Sequence, residues 1–209
     1  MIIGLVGLKG CGKDTVADYL LAHQDNWVKG SFADSLKDTC ACVFGWDREL
    51  LEGSTQDSRA WRETVDTWWA GRLDKPGFTP RIALQLVGTD LWRNQFNNDI
   101  WLLSFEKKLL MIEENVVITD CRFPNEIELI QRLSGNIVRV KRGEDPPWWD
   151  IAVADNEERE NIEHNPMMPR VYPEVHASES SWAGCTEDNV IVNNGTLEDL
   201  EQAVKNLNV

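Results

Sequence analysis

The stretch Gly7-Leu8-Lys9-Gly10-Cys11-Gly12-Lys13-Asp14-Thr15 decides how this chain is read. It follows a short apolar run, Ile2 to Val6, that reads as a buried strand. It opens an amphipathic stretch from Lys13 to about His23, in which Val16, Ala17, Leu20 and Leu21 recur at helical spacing. The pattern is G-x-x-x-x-G-K between a strand and a helix, the setting in which it binds phosphate. Glycines let backbone N–H groups turn inward around a polyphosphate, and the helix N-terminus adds unpaired donors and a partial positive charge. Gly10, Cys11, Gly12, Lys13, Asp14 and Thr15 are therefore the candidate phosphate-binding residues, with Lys13 reaching the β- and γ-phosphates. The plainer alternative is a glycine-rich turn with no ligand, in which Asp14 only favours the first turn of the helix. Position, spacing and Lys13 together favour the phosphate loop.

One residue departs from the pattern. Asp14 stands where Ser or Thr ordinarily meets Mg²⁺; its carboxylate could hold the ion through water, or Thr15 could take part. A second acidic position completes the candidate metal set. Val116-Val117-Ile118-Thr119 is a β-branched strand run that delivers Asp120 to its end, where a carboxylate can hold Mg²⁺ through water. Arg122 lies two residues on, within reach of a transferring phosphate, and Asn125 and Glu126 are placed to fix the loop. The alternative for Asp120 is a cap on the helix that follows. Lys13, Asp120 and Arg122 are the candidate catalytic residues, and Asp14, Thr15 and Asp120 the candidate metal ligands.

An acceptor region is expected over about residues 34–95. Asp34 and Lys37 enter a helix directly after the second strand, Trp27 to Phe32. Lys37 suits an acceptor phosphate, whereas Asp34 either caps the helix or acts near the acceptor oxygen. Arg81 and Gln85 are four residues apart, on one helix face, where a guanidinium can take phosphate and an amide can read a base edge. The Gly88-Thr89-Asp90 step is read as a break after that helix, which makes Thr89 and Asp90 part of a pocket wall. Arg59, Arg62 and Arg93 read as surface residues first.

The rest of the chain alternates strands and helices, which predicts an α/β fold with a mainly parallel five-stranded sheet covered on both faces. Ligands then lie at the carboxyl ends of the strands. Arg59 to Leu73 is expected as one helix, and Arg81 to about Asn94 and Ile100 to Glu113 as two more. The acidic, Pro-rich segment 143–188, with Trp148 and Trp149, reads as a lid-like excursion. Arg139, Arg142, Arg159 and Arg170 are its arginines, none singled out as the one that closes over phosphate. The core is expected over residues 1–45, 81–142 and 189–209 of a single domain, 1–209.

Composition sets outer bounds. Net charge of −14 disfavours a nucleic-acid polymer as partner, although a local cluster of amides, Lys and Arg can hold a small phosphate ligand. No apolar run approaches the roughly 18 residues that cross a bilayer, and the N-terminus lacks a basic signal-peptide region. Five scattered cysteines without a C-x-x-C pair predict reduced thiols and a cytoplasmic protein. Ten tryptophans are many for this length; packing is the plain reading and base stacking a second one.

Taken in order, Gly12-Lys13-Asp14-Thr15, Phe32-Ala33-Asp34-Ser35-Leu36-Lys37, Gln85-x-x-Gly88-Thr89-Asp90 with Trp101, Asp120-x-Arg122, His176-x-Ser178-Glu179 and Asn193-Asn194-Gly195-Thr196 resemble the bacteriophage deoxynucleoside monophosphate kinases. The Lys-Asp-Thr form of the loop also occurs in that family. The resemblance implies a P-loop NTPase three-layer α/β/α fold of the adenylate-kinase type, with an acceptor-binding helical region and a lid insertion. It implies ATP and Mg²⁺ as cosubstrates, a deoxynucleoside monophosphate as acceptor, and work in the host cytoplasm on phage DNA precursors. It leaves open the base, the deoxy or ribo preference and a homodimer. Other P-loop kinases, acting on dephospho-coenzyme A or phosphomevalonate, share the loop and the Asp-x-Arg element, and a regulatory NTP-binding module is the alternative outside the kinases.

Overall fold

In a computed structural model that describes residues 1–207, the opening apolar run forms β1 (Ile2–Val6), whose middle residues are wholly buried. It sits at the centre of a sheet ordered β2–β3–β1–β4–β5, with β2 (Trp27–Gly30), β3 (Asn115–Ile118), β4 (Asn136–Lys141) and β5 (Asn189–Val192). Every pairing is parallel, with Gly4 opposite Ile118 on one side and Val6 opposite Arg139 on the other. A parallel sheet buried on both faces needs apolar residues on consecutive positions, which is why these strands read as runs rather than alternations.

The chain divides into two compact units. The first comprises Met1–Ser31 and Ile112–Val209 and carries the whole sheet. On one sheet face, Ile3, Leu5, Val117, Val138, Val140 and Ile191 pack with Val16, Ala17 and Leu20 of α1 (Lys13–His23) and with Leu200 and Val204 near the C-terminus. Each fully buried aliphatic side chain there contributes about 1.5–3 kcal/mol. On the other face lies a further helix, Pro124–Arg132, whose Ile130 would stand 2.5 Å from a Cβ added at Gly4. This gives the three layers expected from sequence. The closing helix, Leu197–Lys205, is capped by Thr196, which exchanges bonds with Asp199 in a capping box.

The second unit, Phe32–Met111, is one continuous segment between β2 and β3. It contains α2 (Asp34–Phe44), α3 (Arg48–Glu52), α4 (Gln56–Glu63), α5 (Thr67–Arg72), α6 (Pro80–Gln85), a π-helical stretch (Leu86–Phe96) and α7 (Ile100–Leu109). Three expectations are corrected here. Residues 59–73 are not one helix: the Asp66 carboxylate accepts from Trp69 N at 3.0 Å and from the Trp46 indole at 2.7 Å, so it caps α5 and separates it from α4. Nor does the chain break at Gly88-Thr89-Asp90; it runs on as a π-helix. A Cβ at Gly88 would lie 2.7 Å from Leu36, and the Gly88 carbonyl accepts from the Trp101 indole at 2.9 Å, so the glycine marks close packing. The strand expected to reach Phe32 also stops earlier, at Gly30. The rest of the helices follow in the first unit: α8 is the Pro124–Arg132 helix, α9 is Trp149–Glu157, α10 Met168–Val171, α11 Ala177–Ser180 and α12 the closing helix.

Segment 143–188, within the first unit, holds α9 to α11 around Ala152, Met168 and Ala183, with Trp148, Trp149 and Tyr172 packed against them. Arg139 at its root stacks on Trp149, 4.1 Å from the ring centroid, and lies 5.6 Å from Trp182. Asp145 holds both Arg139 and Lys141. Arg139 is therefore a clamp, and the paired tryptophans are packing residues.

Asp155 ties the segment's internal turn. Its carboxylate accepts from Met167 N at 3.0 Å and Met168 N at 2.7 Å, and meets His164 Nε2 at 3.1 Å. Burial raises its pKa, but these two amides and the imidazole outweigh burial and hold it below the ordinary carboxylate range. A group depressed on folding contributes stability above its unfolded pKa, about 3.9, and loses it as pH falls through the folded value. Asp155→Asn should lower stability by about 1–2 kcal/mol. The Tm difference from wild type should persist at pH 5–6 and close below about pH 4; a gap insensitive to acid would remove the carboxylate's charge from the account.

Candidate active site

All five strands run parallel, so their carboxyl ends gather along one edge. That edge carries the loop 7–12 after β1, Ser31 after β2, Asp120 after β3 and Asn193 after β5. The loop turns through residues with positive φ: Gly7 at 150°, Gly10 at 80° and Gly12 at 107°. Gly7 has no room for a side chain, because a Cβ there would stand 2.4 Å from the Val140 carbonyl oxygen. At Gly12 a Cβ would stand 2.5 Å from Asn193 Nδ2, and that amide donates to the Cys11 carbonyl at 2.8 Å. Asn193 thus pins the loop from the far end of the chain. The same backbone leaves the N-terminus of α1 without a side-chain cap, so its first amides remain as donors.

Lys13 folds back over the loop. Its ammonium donates to the Gly7 carbonyl at 2.6 Å and the Leu8 carbonyl at 3.1 Å. It lines a small pocket with Gly7, Lys9, Arg122, Ser178 and Glu179. Arg122 Nη1 stands 3.4 Å from both Ser178 Oγ and Glu179 Oε1, so these two residues of the excursion meet the loop's own pocket. His176 accepts from Ser178 N at 3.2 Å and caps α11. A larger groove between α8 and α9, lined by Gln131, Asn156 and Arg159 among others, contains none of the loop residues.

Buried Glu126 caps the start of α8, its carboxylate accepting from Arg122 N at 2.8 Å and Phe123 N at 3.1 Å. Asp120 accepts from Ser31 Oγ at 2.7 Å. Asp14 is exposed and paired with Lys29 at 2.8 Å. Burial raises its pKa, but the Lys29 ammonium, Lys13 and the Thr119 hydroxyl outweigh it and hold the carboxyl below its ordinary range. The edge therefore offers hard oxygens from Asp14, Ser31, Thr119 and Asp120. Among the described residues no three acidic, His or Cys side chains converge on one point. Hard oxygen donors of this kind fit a divalent cation such as Mg²⁺.

Lys29, Ser31 and Asn193 were not singled out from sequence as site residues. Ser31 follows the end of β2 at Gly30 much as Asp120 follows β3, whereas Lys29 and Asn193 enter the site only through their contacts with Asp14 and the Cys11 carbonyl.

In the second unit, the acceptor candidates are less free than their sequence suggests. Lys37 Nζ is 2.7 Å from Glu52 and 3.9 Å from Asp34. Asp34, in the first turn of α2, also pairs with Arg48 at 3.0 Å. Arg81 and Gln85 are exposed on α6, with Arg81 3.6 Å from Glu63, and Thr89 and Asp90 are exposed on the π-helical stretch.

The glycine loop, the lysine over it and the parallel sheet in the order β2–β3–β1–β4–β5 define a nucleotide-phosphate-binding protein of the P-loop class. Over 154 residues the chain is 36% identical to a protein of Acanthamoeba polyphaga mimivirus described as "Putative deoxynucleotide monophosphate kinase", a match covering 68% of this chain and 74% of that one. It is 28% identical over 179 residues to the "Deoxynucleoside-5'-monophosphate kinase" of Escherichia phage T5, covering 63% and 72%. The chain belongs to the deoxynucleoside monophosphate kinase family. No protein-family model matches it. Among solved structures, a Thermus thermophilus protein aligns with TM-score 0.39 and 19% identity over 98% of this chain and 94% of that one. A dephospho-CoA kinase from Campylobacter jejuni aligns with TM-score 0.38 and 13% identity over 98% and 93%; likenesses this distant carry no argument.

Proposed function

We propose that this kinase transfers the γ-phosphoryl group of ATP to the 5′-phosphate of a deoxynucleoside monophosphate, giving ADP and the deoxynucleoside diphosphate. The observation that best supports the reading is Lys13 held over a glycine loop at the end of the central strand, in a chain of this family. Gly10, Cys11, Gly12, Lys13, Asp14 and Thr15 would hold the triphosphate, and Asp14, Thr15 and Asp120 would hold Mg²⁺. When bound, that ion neutralises charge on the β- and γ-phosphate oxygens.

An acceptor phosphate oxygen attacks the γ-phosphorus while the bond to the β-phosphate oxygen breaks, and the electron pair leaves on ADP. That oxygen is already ionised near neutral pH, so no strong base is required. Catalysis is positioning plus charge neutralisation by Lys13 and Arg122. Asp34, Lys37, Arg81, Gln85, Thr89 and Asp90 are the sequence's candidates for the acceptor side. Segment 143–188 serves as a lid that excludes water and so suppresses ATP hydrolysis. The two viral relatives support a role in supplying deoxynucleotides for viral DNA synthesis.

A coupled ADP-release assay with ATP, magnesium and each nucleoside monophosphate, ribo and deoxy, tests the reading. Release that depends on at least one deoxynucleoside monophosphate, with the diphosphate formed in equal amount, is expected. ADP release at the same rate with and without acceptor would overturn it.

A further inference from the structure

The bond from Asn193 Nδ2 to the Cys11 carbonyl, 2.8 Å long, does more than tether the loop. A trans peptide is planar, so its C=O and the N–H that follows point in opposite directions. Anchoring the Cys11 carbonyl therefore turns the Gly12 N–H to the side away from Asn193. Gly12 is the N-cap of α1, and its N–H is one of the backbone donors with which such a loop meets a polyphosphate.

Both sides of this peptide are held. The Cys11 side chain is buried in the core on the α1 face of the sheet. Gly12 has φ 107°, which strains any residue with a Cβ, and a Cβ there would stand 2.5 Å from Asn193 Nδ2 and 3.6 Å from its Cγ. The missing side chain at Gly12 is what lets the amide approach. Asn193 is fixed in turn by the sheet: its N–H donates to the Lys141 carbonyl at 2.7 Å, one step beyond the pairing of Val192 with Lys141. Within the loop itself, Cys11 N reaches the Leu8 carbonyl at 3.2 Å. A glycine-rich peptide without an anchor must be ordered at the ligand's expense, whereas a donor aimed beforehand needs no reorganisation when charge arrives. The neighbouring Asn194 supplies a contrast on the same turn: its Oδ1 accepts from Gly143 N at 2.7 Å, at the root of segment 143–188.

We infer that Asn193 is a positioning residue for the phosphate loop: its side-chain amide orients the Cys11–Gly12 peptide so that the Gly12 N–H donates to the triphosphate of ATP. The inference rests on the phosphate-loop reading above and gives that site a determinant from the far end of the chain.

Equilibrium dialysis of labelled ATP with magnesium against wild type, Asn193→Ala, Asn193→Asp and Asn194→Ala, each verified as folded, tests it. Asn193→Ala should weaken ATP binding about tenfold, the scale of one hydrogen bond to a charged group. Asn193→Asp keeps the size but sets an oxygen against the Cys11 carbonyl, and should weaken binding about a hundredfold. Asn194→Ala should stay within about threefold of wild type. In steady-state kinetics Asn193→Ala should raise KM for ATP while the acceptor KM changes by no more than about twofold. Amide hydrogen exchange read by NMR reports on the peptide directly: ATP should slow exchange at Gly12 in the wild type and not in Asn193→Ala.

An Asn193→Ala chain that binds ATP as the wild type does overturns the inference. So do equal losses in Asn193→Ala and Asn194→Ala, which make the turn a structural support only, and a Gly12 exchange rate that responds to ATP alike in both chains. A folded wild type that binds no ATP defeats the phosphate-loop reading itself, and the inference falls with it.

Discussion

Lys13→Ala folds as the wild type does and loses at least about a hundredfold in turnover, the scale expected when one preorganised positive donor is removed from a site of developing phosphate charge. The two halves of this expectation have separate grounds. The part-buried ammonium donates to the Gly7 and Leu8 carbonyls and, at 3.7 Å, to Cys11 Sγ, contacts confined to one loop, so stability should change by no more than about 1 kcal/mol. No other described residue places a cation directly on the Gly7 and Leu8 carbonyls, so no neighbour substitutes for it in the reaction. Denaturant unfolding together with the ADP-release assay checks both. Wild-type turnover in the variant would remove Lys13 from the mechanism.

Gly7→Ala carries the largest structural effect. The residue combines a positive φ of 150° with a Cβ position 2.4 Å from the Val140 carbonyl oxygen and 2.7 Å from Cys11 Sγ. Val140 belongs to the strand that pairs directly with β1, so its carbonyl cannot retreat without disturbing the middle of the sheet. Strain and overpacking together should cost about 3 kcal/mol or more. Activity should fall as well, because the loop must open at its first residue. Gly10→Ala is the internal comparison: its φ is 80°, but nothing lies within 4 Å of the added Cβ, and only the left-handed backbone cost of about 1–2 kcal/mol applies. Urea midpoints that rank the two variants equally would contradict this picture of the loop.

The strands and the loop were legible because their signals are local. Ile2 to Val6 is apolar without alternation, and the glycines and Lys13 that follow have one familiar geometric use. The strand end at Asp120 was legible for the same reason. What stayed hidden depends on residues far apart in the chain. Asn193 reads as a turn residue until β5 brings it to the Cys11 carbonyl. Lys29 reads as a strand residue until it meets Asp14. Gly88 looks like a helix break, since a missing side chain reads alike at a break and at a close contact, and only Leu36 and Trp101 distinguish them. The helices of residues 56–72 were merged because Asp66 gains its capping role partly from Trp46, twenty residues earlier. The acceptor side was least legible of all: a lysine or arginine is recognisable by type, but whether a carboxylate has already neutralised it is a tertiary fact.

The charge distribution is consistent with this division of labour. A chain of net charge −14 needs a local reason to attract a nucleotide. The first unit supplies Lys9, Lys13 and Arg122 around one pocket. The second concentrates Arg59, Arg62 and Arg81 on adjoining helices.

The measurement that bears most directly on the account is equilibrium dialysis of labelled ATP with magnesium against the wild-type chain and Lys13→Ala, both verified as folded. One ATP bound per wild-type chain, with affinity lowered at least about tenfold in the variant, is the predicted result. A folded wild-type chain that retains no ATP, or a variant that retains it equally well, would contradict a triphosphate cradle built from the backbone of residues 7–15 and the Lys13 ammonium.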